Sequence, residues 1–277
     1  MKHNRLLRHQ RSILRFSLYS ILLTGALLLS TLVSVLAQSW TLPPVTEPTE
    51  YGNILIDRIS QSAGKPAVTF SHWSHRLTYT CRVCHLELGF EMKLNATDIT
   101  EQKNKNGEFC GACHNGKIAF GHTEEHCSKC HNGDIGYGKE KFRKISAFPY
   151  ARFGNQIDWT EAVSRGLINP KKSISTEEFA PISFNKFITM EPEWAKFPPA
   201  VFPHEVHNYW LDCANCHPDI FNIKQRTTKH FKMEYIYEGK FCGVCHLRIA
   251  FPMNNCKRCH PDSAKEPKGE GQQEKER

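Results

Sequence analysis

Every cysteine in this chain of 277 residues belongs to a Cys-x-x-Cys pair, and every pair is followed at once by histidine. The six sets are Cys81, Cys84 and His85; Cys110, Cys113 and His114; Cys127, Cys130 and His131; Cys213, Cys216 and His217; Cys242, Cys245 and His246; and Cys256, Cys259 and His260. With 15 histidines in 277 residues, six chance placements in six have a probability on the order of 10⁻⁸. Disulfides and redox dithiols leave that histidine unexplained, and a zinc site is already complete with two such pairs. Covalent c-type haem accounts for every part: two thiols add across the two vinyl groups of one porphyrin, and the adjoining histidine lies beneath the iron. The sequence therefore predicts six covalently bound haems c.

The elements that must position these groups are duplicated. Cys81 to His114 and Cys213 to His246 each span 34 residues, offset by 132, and end in GEFCGACH and GKFCGVCH. FSHWSHRLTYTC and FPHEVHNYWLDC set two histidines at equal distances ahead of the first motif, and IAF follows the second motif in both copies, before CSKCH or CKRCH. Two triheme modules follow, 66–132 and 198–262. Between them, 133–197 holds neither cysteine nor histidine. There DWTEAVSRGLINP predicts one short helix, capped by Asp158, with Trp159, Ala162 and Val163 on one face and Gly166 at its end. FAPISFNKF and KFPPAVF read as extended segments, so the stretch is a spacer covering the haems of both modules. The proline-containing leader is 38–65, and 263–277 is a polar, disordered tail.

Residues 1–37 carry Lys2, Arg5, Arg8, Arg11 and Arg15, then 22 uncharged residues from Phe16 to Ala37. This is a signal peptide cleaved after Ala37 or, at that length, an N-terminal membrane anchor. Either way the remainder is exported, to the periplasm or the outer cell surface. Without this segment 31 basic residues face 28 acidic ones, so the formal charge falls from +8 to +3, and no nucleic-acid surface is indicated. The remaining chain offers about 40 residues per haem, so porphyrin supplies much of the core and the apoprotein is poorly folded.

The sixth iron ligand separates a carrier from an enzyme, because an iron with two protein ligands exchanges electrons without binding substrate. Outside the motifs and the leader segment the histidines are His72, His75, His122, His126, His204, His207 and His230. The duplicated His-x-x-His pairs, His72/His75 and His204/His207, supply ligands for four haems.

The pattern FPHxxH, CxxCH, GKFCGxCH, AF and CxRCH resembles the small triheme cytochromes of the cytochrome-c-seven class, which are cytochrome-c-three-like, and their tandem relatives. The resemblance covers both modules, about half the chain. It implies a multihaem cytochrome fold, with short α-helices and irregular loops wrapped around covalent haems and little β-structure. It also implies that His72 and His204 ligate the first haem of their modules, and His75 and His207 the second. The third haem draws its ligand from the stretch between the first two motifs, and in tandem relatives this can be a methionine nine residues before the second motif, here Met233, with His230 as competitor. The first module has Glu101 at that position, which leaves His122, Met92, His126 or an open site.

Only nine residues separate His246 from Cys256, and twelve separate His114 from Cys127. Such short tethers crowd the haems into a wire of six centres. The expected activity is electron transfer rather than enzymatic turnover, within anaerobic respiration or extracellular electron transfer. Expected partners are other redox proteins, a quinol-linked donor and other multihaem cytochromes among them. The alternatives are a small-molecule or metal reductase with one open haem, or a subunit of a cytochrome filament.

Overall fold

The computed structural model describes residues 19, 21, 23–25, 44–175, 180, 183–192, 197–222 and 232–261. The chain divides into two units, Met1–Thr41 and Leu42–Arg277. In the first unit the described residues, Tyr19, Ile21 and Leu23 to Gly25, are helical. The rest of the signal or anchor segment, the tail and His230 lie outside the described residues. No helix among the described residues is long and apolar enough to cross a membrane.

The second unit contains both cysteine-rich modules, and each begins with an antiparallel hairpin. Strand β1 (Asn53–Ile56) pairs with β2 (Val68–Ser71), with Asn53 opposite Ser71 and Ile56 opposite Val68. Strand β3 (Phe187–Met190) pairs with β4 (Ala200–Pro203), with Phe187 opposite Pro203 and Met190 opposite Ala200. The β-branched and aromatic content of NILI, VTFS and FITM suits a pleated, half-buried ribbon. The duplicated unit is thus longer than the cysteine pattern indicates. Its outer strand comes from the leader in one copy and from the connecting segment in the other. A short helix, α1 (Arg58–Ser62), lies between β1 and β2.

Both inner strands run straight into the helix that carries the His-x-x-His pair. These are α2 (His72–Arg76) after β2 and, in the second copy, a helix over His204–Trp210 after β4. At five and seven residues they are too short to hold themselves together in water, so the hairpins and their packing must fix them. The other elements are one- or two-turn helices joined by irregular loops, the architecture expected of a multihaem cytochrome fold.

The connecting segment does more than space the modules. Its helix Trp159–Ser164 starts where Asp158 accepts a hydrogen bond from the Glu161 N–H at 3.1 Å, and Gly166 follows its end at φ +68°. A second helix in this segment, Lys139–Arg143, was not evident from the sequence. Trp73 on α2 packs in one buried cluster with Phe142, Ile145, Ile157, Trp159, Ala162 and Ile168, so all but one of these core residues come from the connecting segment. The Trp73 and Phe142 rings meet edge to face at 5.1 Å. Core formation therefore pins the back of α2, leaving His72 and His75 to face elsewhere.

Candidate haem sites

The geometry of the imidazoles is set from the backbone outward. His72 Nδ1 donates to the Gly52 carbonyl at 3.0 Å, and His204 Nδ1 to the Lys186 carbonyl at 2.8 Å, in each case the residue just before the outer strand. His75 and His207 donate to the carbonyls four residues earlier, Ser71 at 2.9 Å and Pro203 at 2.8 Å. One phenylalanine per module buttresses both rings. Phe70 stacks on His75 at 4.4 Å and meets His72 by its edge at 4.8 Å; Phe202 does the same to His207 at 4.2 Å and His204 at 4.9 Å.

The six motif histidines are anchored in the same manner. His85, His114, His217 and His246 donate from Nδ1 to the carbonyls of Phe90, Phe120, Phe221 and Phe251, at 2.8, 3.1, 2.7 and 2.9 Å. His131 and His260 donate to Pro66 at 3.1 Å and Pro198 at 2.8 Å, which are matching positions of the duplication. A carbonyl oxygen can only accept, so Nδ1 carries the hydrogen in all ten rings and Nε2 carries the lone pair. That is the tautomer a metal needs, with the orienting hydrogen bond already made.

Three of these histidines meet a partner across a gap. The rings of His72 and His85 stand 6.5 Å apart and are parallel within 7°. His75 and His114 stand 6.2 Å apart at 53°, and His207 and His246 stand 6.2 Å apart at 60°. A metal–imidazole bond of about 2 Å places each ring centre about 3 Å from the metal, so two rings on one metal stand about 6 Å apart. The gaps fit an iron in each. Burial chiefly, with the neighbouring His85, pushes the His72 pKa down to about 3, and burial chiefly pushes His246 down to about 4. Burial likewise lowers His75, His85, His114 and His207. Neutral rings are the form that ligates.

No disulfide forms within or between the cysteine pairs. Burial raises Cys84, Cys242 and Cys245 to about 12, and Cys110 and Cys216 to about 11. Redox and metal-binding cysteines need the reverse, a depressed pKa. Among the described residues no group of three or more histidine, cysteine or acidic side chains is gathered to hold a bare metal ion. Buried thiols of this kind suit thioether attachment to a large apolar ring.

At the position that the resemblance gives to the ligand of the third haem, each module carries a short helix. A five-residue helix, Glu101–Lys105 in one copy and Met233–Tyr237 in the other, presents its first residue at the matching position. Each helix is seated on the glycine of the second motif. A Cβ on Gly111 would lie 1.8 Å from the Asn104 main-chain oxygen, and one on Gly243 would lie 1.9 Å from that of Ile236. Just before those motifs Phe109 and Phe241 hold left-handed φ values of 47° and 53°, costly for a bulky side chain and repeated in both copies.

Met233 is half-buried at the head of its helix. In the first module the Glu101 carboxyl is held below the usual range mainly by Lys105, and His122 and His131 push it the same way. His122 itself is exposed. His126 is half-buried, its Nδ1 set 3.1 Å from the Gly121 carbonyl and 3.0 Å from the Thr123 hydroxyl. Met92 is half-buried in the loop ahead of Glu101–Lys105.

A family model described as "Cytochrome c7 and related cytochrome c" matches residues 68–132 and again residues 200–261. The chain carries two tandem cytochrome c7-type domains. It is a multihaem c-type cytochrome, its twelve cysteines accounting for six covalently bound haems, and electron transfer is the function that the family implies. Among solved structures, the C-terminal hexaheme fragment of GSU1996 is 25% identical, with 79% of this chain and 99% of that chain covered and a TM-score of 0.26. The N-terminal hexaheme fragment of GSU1996 is 25% identical, covering 76% and 98%, with a TM-score of 0.25. The dodecaheme cytochrome c GSU1996 is 23% identical, covering 76% and 74%, at 0.26. No match was found among curated proteins.

The two c7-type domains touch through their first motifs, Val83–Glu87 against Cys213–Asn215. Arg82, inside the first Cys-x-x-Cys, donates from Nε to Asp212 at 3.3 Å and from Nη1 to the Lys172 carbonyl at 2.8 Å, and also binds Glu87. Tyr51 Oη donates to the Ala250 carbonyl at 2.6 Å, and Arg76 Nη2 to the Ile249 carbonyl at 3.2 Å. None of these junction residues stands out in the sequence. Comparing the copies position by position reveals two of them, because Arg76 and Arg82 correspond to Asn208 and Ala214 in the second domain.

Proposed function

We propose that this chain is an exported hexahaem electron carrier that passes electrons between other redox proteins in anaerobic respiration, in the periplasm or at the outer cell surface. The observation that carries the reading is the pairing of imidazoles at 6.2–6.5 Å in His72/His85, His75/His114 and His207/His246. Two rings on one iron leave no position for substrate, so such a centre changes oxidation state and nothing else. When bound, each haem supplies a one-electron couple between ferric and ferrous iron. The chain fixes each of these rings through a carbonyl, and burial keeps the six rings of these three pairs neutral.

On this reading His72 and His204 are ligands of the first haem of their domains, and His75 and His207 of the second. Met233 serves the third haem of the second domain. His122, in the stretch just ahead of the third motif, serves that of the first. The basic head of residues 1–37 and the uncharged run behind it support export, which c-type haem attachment outside the cytoplasm also requires. The donor is a quinol-linked redox protein and the acceptor another multihaem cytochrome, met through exposed haem edges.

Electron paramagnetic resonance of the oxidised, fully haem-loaded chain tests this. Six low-spin haems are the expected result. A high-spin signal of about one haem equivalent overturns the carrier reading in favour of a reductase working at an open iron.

A further inference from the structure

Arg76 closes α2, one helical turn beyond His72 and so on the same side of that helix. Its guanidinium lies 5.2 Å from the ring centre of Trp159 and 5.5 Å from that of Trp210, so the connecting segment and the second domain clamp it from two sides. Its Nη2 donates to the carbonyl of Ile249, three residues after His246. The group thus reaches from the first c7-type domain into the loop that follows the second motif of the other domain. It lines a cavity of about 110 Å³ with Tyr51, Trp159, Trp210, Ala250 and Arg258. Arg258 is neutralised there by Asp158. Among the described residues no carboxylate forms an ion pair with Arg76.

We propose that Arg76 is a positioning residue for electron passage across the domain junction: its charge, held by Trp159 and Trp210, raises the reduction potentials of the two sites it adjoins, that of Cys81, Cys84 and His85 in the first domain and that of Cys242, Cys245 and His246 in the second. The inference rests on the electron-carrier reading and adds where electrons are drawn within the chain. A fixed cation disfavours the oxidised, more positive state of a nearby centre, and a half-buried one does so with little screening. As one electron arrives at a junction site one leaves its reduced neighbour, so the step needs no other reactant.

The duplication supplies the contrast. At the matching position of the second domain Asn208 carries no charge, and its side-chain amide donates to the Phe184 carbonyl at 2.7 Å within its own domain.

The test compares Arg76→Asn and Arg76→Lys with the parent in the full, haem-loaded chain, after counting six haems per chain in each. Haem-resolved redox titration, with haem methyl resonances followed by nuclear magnetic resonance, gives the potentials. Two of six should fall in Arg76→Asn, those of the His85 and His246 haems, and return toward the parent values in Arg76→Lys. Equal shifts of all six, no shift at all, or Arg76→Lys falling as far as Arg76→Asn would overturn the proposal. Should Arg76→Asn fail to load haem, Arg76→Gln replaces it, and failure of both amides assigns Arg76 a structural role and sinks the idea. The parent's own titration judges the carrier reading separately, since a parent that does not take up and release six electrons reversibly fails whatever the variants do.

Discussion

The second motif of the first domain is closed against Asn104 by a glycine: a Cβ on Gly111 would lie 1.8 Å from the Asn104 main-chain oxygen. That contact seats the helix beginning at Glu101, and Gly243 beneath Ile236 repeats it for the helix beginning at Met233. The obstacle is backbone, so no rotamer change relieves it. Gly243→Ala should cost about 2–3 kcal/mol by forcing the helix off its seat. Thermal unfolding of the haem-loaded chain measures the loss, and a change in the visible spectrum of one haem would locate it at Met233.

A thioether raises the potential of the iron it ligates relative to imidazole. Met233→His should therefore lower one haem potential in the second domain and leave the bis-histidine centres where they are. His230→Ala should leave all six unchanged. If instead His230→Ala produces a high-spin haem and Met233→His does nothing, the two assignments exchange.

Much of this was legible in the sequence because covalent haem attachment fixes both residue type and spacing. The helix behind Asp158 was legible as well, since a capping carboxylate and a closing Gly166 are local signals. The hairpins were not. The leader strand NILI and the connecting strand FITM pair through backbone groups, and their side chains bear no relation to the cysteine pattern. Nor did the connecting segment look like the core, because Phe142, Ile145, Ile157, Trp159 and Ile168 are scattered singly and meet only around Trp73. The locale of His122 depends on GHTEEH, an insertion with no counterpart in the second domain from which to argue.

His122 and His126 can be separated directly. On the present assignment His122→Ala opens the iron above His131, and a high-spin signal of one haem equivalent should appear in the oxidised chain. His126→Ala should leave every haem low-spin, because the Nε2 of its ring lies 3.6 Å from the Glu125 carboxylate. The reverse pattern would transfer the role to His126.

The hold on Arg82 at the domain junction should weaken in acid. Arg82, Glu87 and Asp212 meet with side chains only 14%, 17% and 23% exposed. Burial raises the Glu87 pKa, but the Ile174 N–H, the Ser173 hydroxyl and Arg82 together outweigh it, so the folded carboxyl titrates below its ordinary value of 4.5. A depressed carboxyl stabilises the folded state fully above the unfolded pKa, and that stability drains away as the pH falls through the folded value. Arg82→Ala leaves two carboxylates facing each other and should cost about 2–3 kcal/mol near neutrality. It should also flatten the part of the acid-unfolding curve that lies below pH 4.5. Denaturant melts of the haem-loaded chain at neutral and acid pH, with and without the substitution, give both quantities. An unchanged acid slope in Arg82→Ala would mean that Glu87 does not hold the junction.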